Sequence, residues 1–207
     1  MTHTHRLILA SESPRRADLL REAGFIFEVL PARIDESPLP AETPAEMALR
    51  LARLKALATA QTIAPAVTSA TPAYVLGADT AVVVEGELFG KPSSASDAAR
   101  MIRALAGRTH LVLTGVWTIR LPDTANRAAL ESTSVTFGDL TDEEIEAYVA
   151  TREPFGKAGG YAIQGLAARF VTRIEGSYSN VVGLPVARVW TLLRELGWPD
   201  LALPRNA

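Results

Sequence analysis

Short apolar runs separated by amphipathic stretches organise this chain. Residues 7–10 (Leu-Ile-Leu-Ala) are continuously apolar and predict a buried strand. Ser13 then Pro14 reads as an N-cap with proline at the first helical position, opening a helix that ends near Gly24. Residues 25–30 read as a second strand. Thr43-Pro44-Ala45-Glu46 is a capping box, and it opens a helix with Met47, Leu51, Leu54 and Ala58 as its apolar stripe. Residues 64–73, rich in Pro, Thr, Ser and Ala, predict a surface loop. Two short apolar strands follow at 74–78 and 81–84, then a turn at 85–87 and a helix over 96–105. Residues 111–121 and 131–137 predict an antiparallel strand pair. A second capping box, Thr141-Asp142-Glu143-Glu144, opens a helix to about Thr151. Residues 152–165, with Gly156, Gly159, Gly160, Gly165 and Pro154, predict a shaped loop. A strand at 168–174 comes next. A last helix starts at Leu184 or Pro185, with Val186, Val189, Leu193 and Leu196 on one face, and stops at Gly197. A loose tail is expected over about 199–207. Alternating strands and helices with one antiparallel pair predict an α/β chain of mixed α+β character, a mixed sheet flanked by helices.

Composition narrows the class. A chain of 207 residues suits one domain, 1–207, with room for a real core or two small lobes. Hydrophobic residues at 48% and charged residues at 21% are ordinary for a soluble globular protein. A net charge of −2 supplies no global field toward nucleic acid or an anionic membrane, so neither is expected as a partner. Without cysteine, thiol catalysis and thiolate metal sites are excluded. No signal-peptide pattern or membrane-spanning run is present, and a cytoplasmic protein is expected. His3 and His5 sit on an expected frayed end and are not read as metal ligands.

The chemistry concentrates in Leu9-Ala10-Ser11-Glu12-Ser13-Pro14-Arg15-Arg16. A strand-to-helix turn there aims unpaired first-turn N–H groups outward at the positive end of the helix dipole, which favours an anion and phosphate above all. Cations at that end oppose the dipole, so Arg15 and Arg16 call for a reason, and a multiply charged phosphate supplies one. A capped helix with two solvated arginines fits the same residues, and they leave both readings open.

This segment resembles the opening signature of the Maf family of nucleotide pyrophosphatases. The resemblance extends through Gly77-Ala78-Asp79-Thr80, Gly90-Lys91-Pro92, Gly107-Arg108-Thr109-His110, residues 157–165 (Lys-Ala-Gly-Gly-Tyr-Ala-Ile-Gln-Gly) and Asn180-Val181-Val182-Gly183-Leu184-Pro185, in family order. It implies an inosine triphosphatase-like fold, with a bent mixed sheet and two lobes around a cleft. It implies hydrolysis of a nucleoside triphosphate to the monophosphate and pyrophosphate, assisted by a divalent metal (Mg, Mn or Co), and homodimers are common in the family.

Carried over residue by residue, Asp79 is the catalytic base or a metal ligand, and Glu36 is its metal-binding partner. Burial raises a carboxyl pKa and a bound metal lowers it, so sequence leaves the role of Asp79 open. Read locally, Asp79 is also a turn aspartate at a strand end or bend, and Glu36 a solvated loop residue. Ser11, Arg15, Arg16, Lys55 and Lys91 are expected to hold phosphate; a lone Lys91 or a snorkelling Lys55 would otherwise be surface residues. Arg15, Thr80 and Gln164 mark the branch acting on dTTP and UTP, with the branch acting on 7-methyl-GTP second. A glutamine amide offers the donor and acceptor that a uracil or thymine edge needs. The chain departs from the family at Gly156, where aspartate is usual, which puts the rigidity of that loop and a role for Lys157 in doubt. Glu12 is expected to turn away from phosphate. A non-catalytic nucleotide-binding regulator of cell division is the alternative. A dinucleotide oxidoreductase is excluded, because no Gly-x-Gly-x-x-Gly follows the first strand.

Overall fold

The computed structural model describes residues 5–199. His3 and the tail beyond Pro199 lie outside the described residues. In chain order the elements are β1 (Arg6–Leu9), α1 (Pro14–Glu22), β2 (Glu28–Val29), α2 (Pro44–Ile63), β3 (Ala73–Val84), β4 (Glu87–Phe89), α3 (Ala95–Leu105), β5 (Thr109–Leu121), β6 (Asn126–Phe137), α4 (Asp142–Ala150), β7 (Val171–Glu175), α5 (Tyr178–Val182) and α6 (Val186–Glu195). The strands form one mixed sheet in the order β2-β1-β3-β5-β6-β7, with β4 hairpinned onto the end of β3. β1 pairs in parallel with β2 and β3, and the other pairings are antiparallel. Among the described residues no helix is long and apolar enough to cross a membrane.

The sheet divides the core by residue parity. Leu7, Leu9, Tyr74, Leu76 and Ala78 face a large cluster with α1, α3, α4 and α6. Ile8, Val75, Ile119 and Leu121 face α2, against Ala56 and Ala60. Both capping boxes form as read, at Thr43/Glu46 and Thr141/Glu144.

Several expectations need correction. The two strands expected at 74–78 and 81–84 are one twelve-residue strand, β3, paired with β5 from Ala73↔Leu121 to Val83↔Leu111. Asp79 and Thr80 therefore lie inside a ladder, not at a bend. The apolar stripe of α2 is rotated: Met47, Leu54 and Ala58 are half-buried, whereas Ala48, Leu51, Ala52, Lys55, Ala56, Thr59 and Ala60 are buried. The reason lies across the interface. A Cβ on Gly77 would stand 2.1 Å from the Ala52 carbonyl oxygen, and one on Gly115 would stand 2.4 Å from that of Ala48. A sheet face of glycines selects the small side of the helix and lets the backbones approach closely. Ser13 makes no side-chain capping bond; instead its N–H donates to Ser11 Oγ at 3.2 Å. The second strand shrinks to Glu28–Val29, because Phe25 turns inward against Trp190. The segment expected as strand 168–174 begins as the 3-10 turn Leu166–Phe170, and α5 escaped sequence reading.

Candidate active site

Alternation along β3 sends neighbouring polar residues to opposite faces. Asp79 pairs with Gly115 and points toward α2; Thr80 pairs with Thr114 and points toward α1. On the α2 side, buried Lys55 places Nζ 2.6 Å from Asp79 Oδ1 and 2.7 Å from Glu36 Oε1. One ammonium thus joins the two carboxylates. Burial alone would raise the Glu36 pKa, but the hydrogen bond and charge of Lys55, helped by Lys91 and Arg16, hold it below the usual range.

On the α1 side, Arg16 is 8% exposed and has no carboxylate ion-pair partner among the described residues. Nε donates to Gly183 O at 2.8 Å, Nη1 to Ser11 Oγ at 3.1 Å and Ala78 O at 2.9 Å, and Nη2 to Thr80 Oγ1 at 3.0 Å. It stitches the end of β1, the middle of β3 and the turn after α5. Burial lowers its pKa, and the charge of Asp79 opposes that shift. The Thr80 hydroxyl is engaged three ways, with Arg16, Thr114 Oγ1 at 3.0 Å and Gly183 O at 3.3 Å.

Between these clusters opens a cleft of about 770 Å³, within the size range of small-molecule sites. Ser11, Arg15, Arg16, Glu36, Lys55, Asp79, Thr80, Lys91 and Gln164 all line it. The sequence placed these residues in six separate segments, and the fold brings them together. The side chains of Arg15 and Lys91 make no hydrogen bond or ion pair with the described residues, and partial burial lowers the Arg15 pKa. Sequence reading missed a third such cation, Arg33, which stands between Ala32 and Ile34 on the exposed segment leading to Glu36. A cation in an irregular segment carries no periodic signal. Gln164 is exposed, and its side chain bonds none of the described residues. Glu12 is exposed and belongs to the cleft lining. Among the described residues no group of three or more His, Asp or Glu side chains has metal-binding geometry.

The loop at 152–165 is anchored without an aspartate at 156. Glu153 accepts from the Leu166 N–H at 2.8 Å, the Ala167 N–H at 3.1 Å and the Tyr148 hydroxyl at 3.1 Å. Lys157 Nζ donates to the Glu153 carbonyl, and burial, with Arg15 nearby, lowers its pKa. Gly156 has φ 74° and nothing within 4 Å of a Cβ position. The loop therefore holds by Glu153, a role with no motif to announce it.

Residues 6–196 match the family described as Maf-like protein. The chain belongs to the Maf family. Curated relatives named "dTTP/UTP pyrophosphatase" resemble it over nearly the full length of both chains. The one from Moorella thermoacetica is 50% identical over 192 residues, covering 93% of this chain and 95% of its own. That of Anaeromyxobacter sp. is 49% identical over 197 residues, covering 94% and 91%, and that of Pelotomaculum thermopropionicum is 46% identical over 192 residues, covering 93% and 97%. Among solved structures, the Staphylococcus aureus Ham1 protein is 14% identical with a TM-score of 0.41, over 65% of this chain and 72% of that one.

Proposed function

We propose that this Maf protein is a nucleoside triphosphate pyrophosphatase acting on dTTP and UTP, releasing the nucleoside monophosphate and pyrophosphate. The reading rests chiefly on one observation: Asp79 and Glu36 meet at Lys55 inside a cleft whose mouth carries unpartnered cations. A regulator that only bound nucleotide would need the cations but not this carboxylate pair. The donor set suits a hard divalent ion, because Mg²⁺ takes one or two carboxylates plus substrate phosphates. Asp79 and Glu36 would hold it, and when bound it supplies charge neutralisation on the phosphate oxygens.

In the proposed reaction, water oxygen attacks the α-phosphorus and the bridge to the β-phosphate breaks. The water proton passes to Asp79, and pyrophosphate leaves with the electron pair. Arg15 and Lys91 offset the developing charge on the phosphates. Lys55, already bound to both carboxylates, orients Asp79 toward the water. Arg16 holds Ser11 and the start of α1, so that first-turn N–H groups face phosphate. Thr80 acts through Arg16, since its hydroxyl is fully engaged. Gln164, unencumbered at the cleft wall, reads the base.

A pyrophosphate-release screen over a nucleotide panel with Mg²⁺, Mn²⁺ and Co²⁺ tests this. Metal-dependent release highest with dTTP and UTP is expected. A preference for 7-methyl-GTP or CTP would overturn the substrate assignment, and no release with any nucleotide would overturn the activity.

A further inference from the structure

His110 lies on β5, 2% exposed, and its Nε2 is 2.8 Å from the Tyr161 hydroxyl. Phe137 and Tyr161 box the imidazole edge-to-face, at ring centroid distances of 5.2 Å and 5.4 Å. Its Nδ1 is buried with no partner among the described residues. An unpaired polar atom in a dry core disfavours folding. A phenyl ring would fill the same aromatic box without that penalty. What histidine adds here is the bond to Tyr161.

Tyr161 is extended and leads into a turn over 162–165, closed by the Gly165 N–H donating to Ala162 O at 3.0 Å, in which Tyr161 (6% exposed) and Ile163 (8%) are buried, Ala162 is half-buried and Gln164 is exposed. Before it come Gly159 and Gly160, with φ of 68° and 70°. They have no side chains to hold the backbone in place. The Gly159 N–H donates to Gly90 O at 3.0 Å, tying this stretch to the turn that carries Lys91. The inward anchor of Tyr161 then determines where the outward residues stand.

We infer that His110 is a positioning residue for nucleotide specificity, fixing the cleft wall that carries Gln164 through the hydroxyl of Tyr161. The specificity part of this inference rests on the proposed reading of the base by Gln164. His110 touches no substrate; it sets where Gln164 meets the base relative to the phosphate-facing Lys91. Burial lowers the imidazole pKa to about 4 and raises that of the Tyr161 phenol, so both partners are neutral at pH 7.

The test replaces both partners with apolar rings, His110→Phe/Tyr161→Phe. Removing both members of a buried hydrogen bond together is close to neutral for stability, so the variant should fold. Two quantities are compared with wild type: the dTTP-to-CTP ratio of kcat/KM, and amide hydrogen exchange across residues 159–164. The ratio should fall about tenfold and loop exchange should speed about tenfold, while β5 amides keep their rates. His110→Gln, whose amide reaches the position of Nε2, should recover part of the ratio. A double variant with wild-type ratio and wild-type loop exchange would overturn the inference. Should the wild type itself show no preference for dTTP, the base reading falls and loop exchange alone decides: unchanged rates overturn the positioning role, and faster rates support it.

Discussion

Asp79 and Glu36 would repel one another at this separation without the Lys55 ammonium between them. Asp79→Asn removes charge and basicity at nearly constant shape, and Glu36 still pairs with Lys55. Turnover should fall ~10²–10⁴-fold, the usual worth of general-base assistance, with thermal stability little changed. Near-normal kcat would remove Asp79 from catalysis and favour the binding-only reading. Gln164→Ala tests the base reader. A uracil or thymine edge presents a carbonyl beside an N–H, and one amide matches both; cytosine lacks that N–H. The variant should narrow the dTTP-over-CTP preference by about 1–3 kcal/mol in kcat/KM. A uniform loss across nucleotides would reject it. These residues were legible because their motifs quote a known family. Arg33 was not, since a cation in an irregular segment carries no periodic signal; Glu153 and the bond between His110 and Tyr161 were not, since each acts through partners that no local spacing announces.

At the scale of elements, the close approach of α2 to the sheet delivers Lys55. A helix standing at ordinary distance would hold that ammonium away from Asp79. Gly77→Ala puts a methyl 2.1 Å from a helix carbonyl, a collision with backbone that no rotamer relieves. The helix must move. Overpacking of this kind sits at or above the upper end of roughly 1–3 kcal/mol. At about 2–4 °C per kcal/mol for a chain of this size, Tm should drop by some ~6–12 °C. Activity should fall further than stability explains, because Lys55 moves with α2. Calorimetry and kcat at a temperature where the variant is fully folded would separate the two, and normal values of both would contradict the packing argument. The capping boxes were readable because their signals are local. The stripe of α2 was not: which side of a helix is buried depends on what faces it, and glycines on distant strands reversed the ordinary preference for large apolar residues. Asp79 and Thr80 likewise interrupted an apolar run and so split β3 on paper. In the fold, Lys55 and Arg16 meet them one on each face, and the strand continues.

At the scale of the whole molecule, a chain of net charge −2 gathers cations into one cleft. Composition excluded a global field but gave no hint of this focusing, which arises only when residues 15, 33 and 91 converge. Global stability carries its own electrostatic signature through His110. Its native pKa, about 4, lies below the ordinary 6.5, so between those values the unfolded chain binds a proton that the native state refuses. Stability from this group is fully present above pH 6.5, is lost as pH falls toward 4, and changes no further below it. From pH 7 to 4.5 the loss should be about 2 kcal/mol, since each pKa unit is worth about 1.36 kcal/mol. Carboxylates in ion pairs, such as Glu28 with Arg6, add losses over the same acid range, so the comparison must be differential. Urea unfolding at both pH values should show wild type losing about 2 kcal/mol more than the His110→Phe/Tyr161→Phe variant, which shares every carboxylate but lacks the imidazole. Equal losses in the two proteins would mean that His110 accepts a proton in the native state, and that its ring is not locked in the dry pocket beside Tyr161.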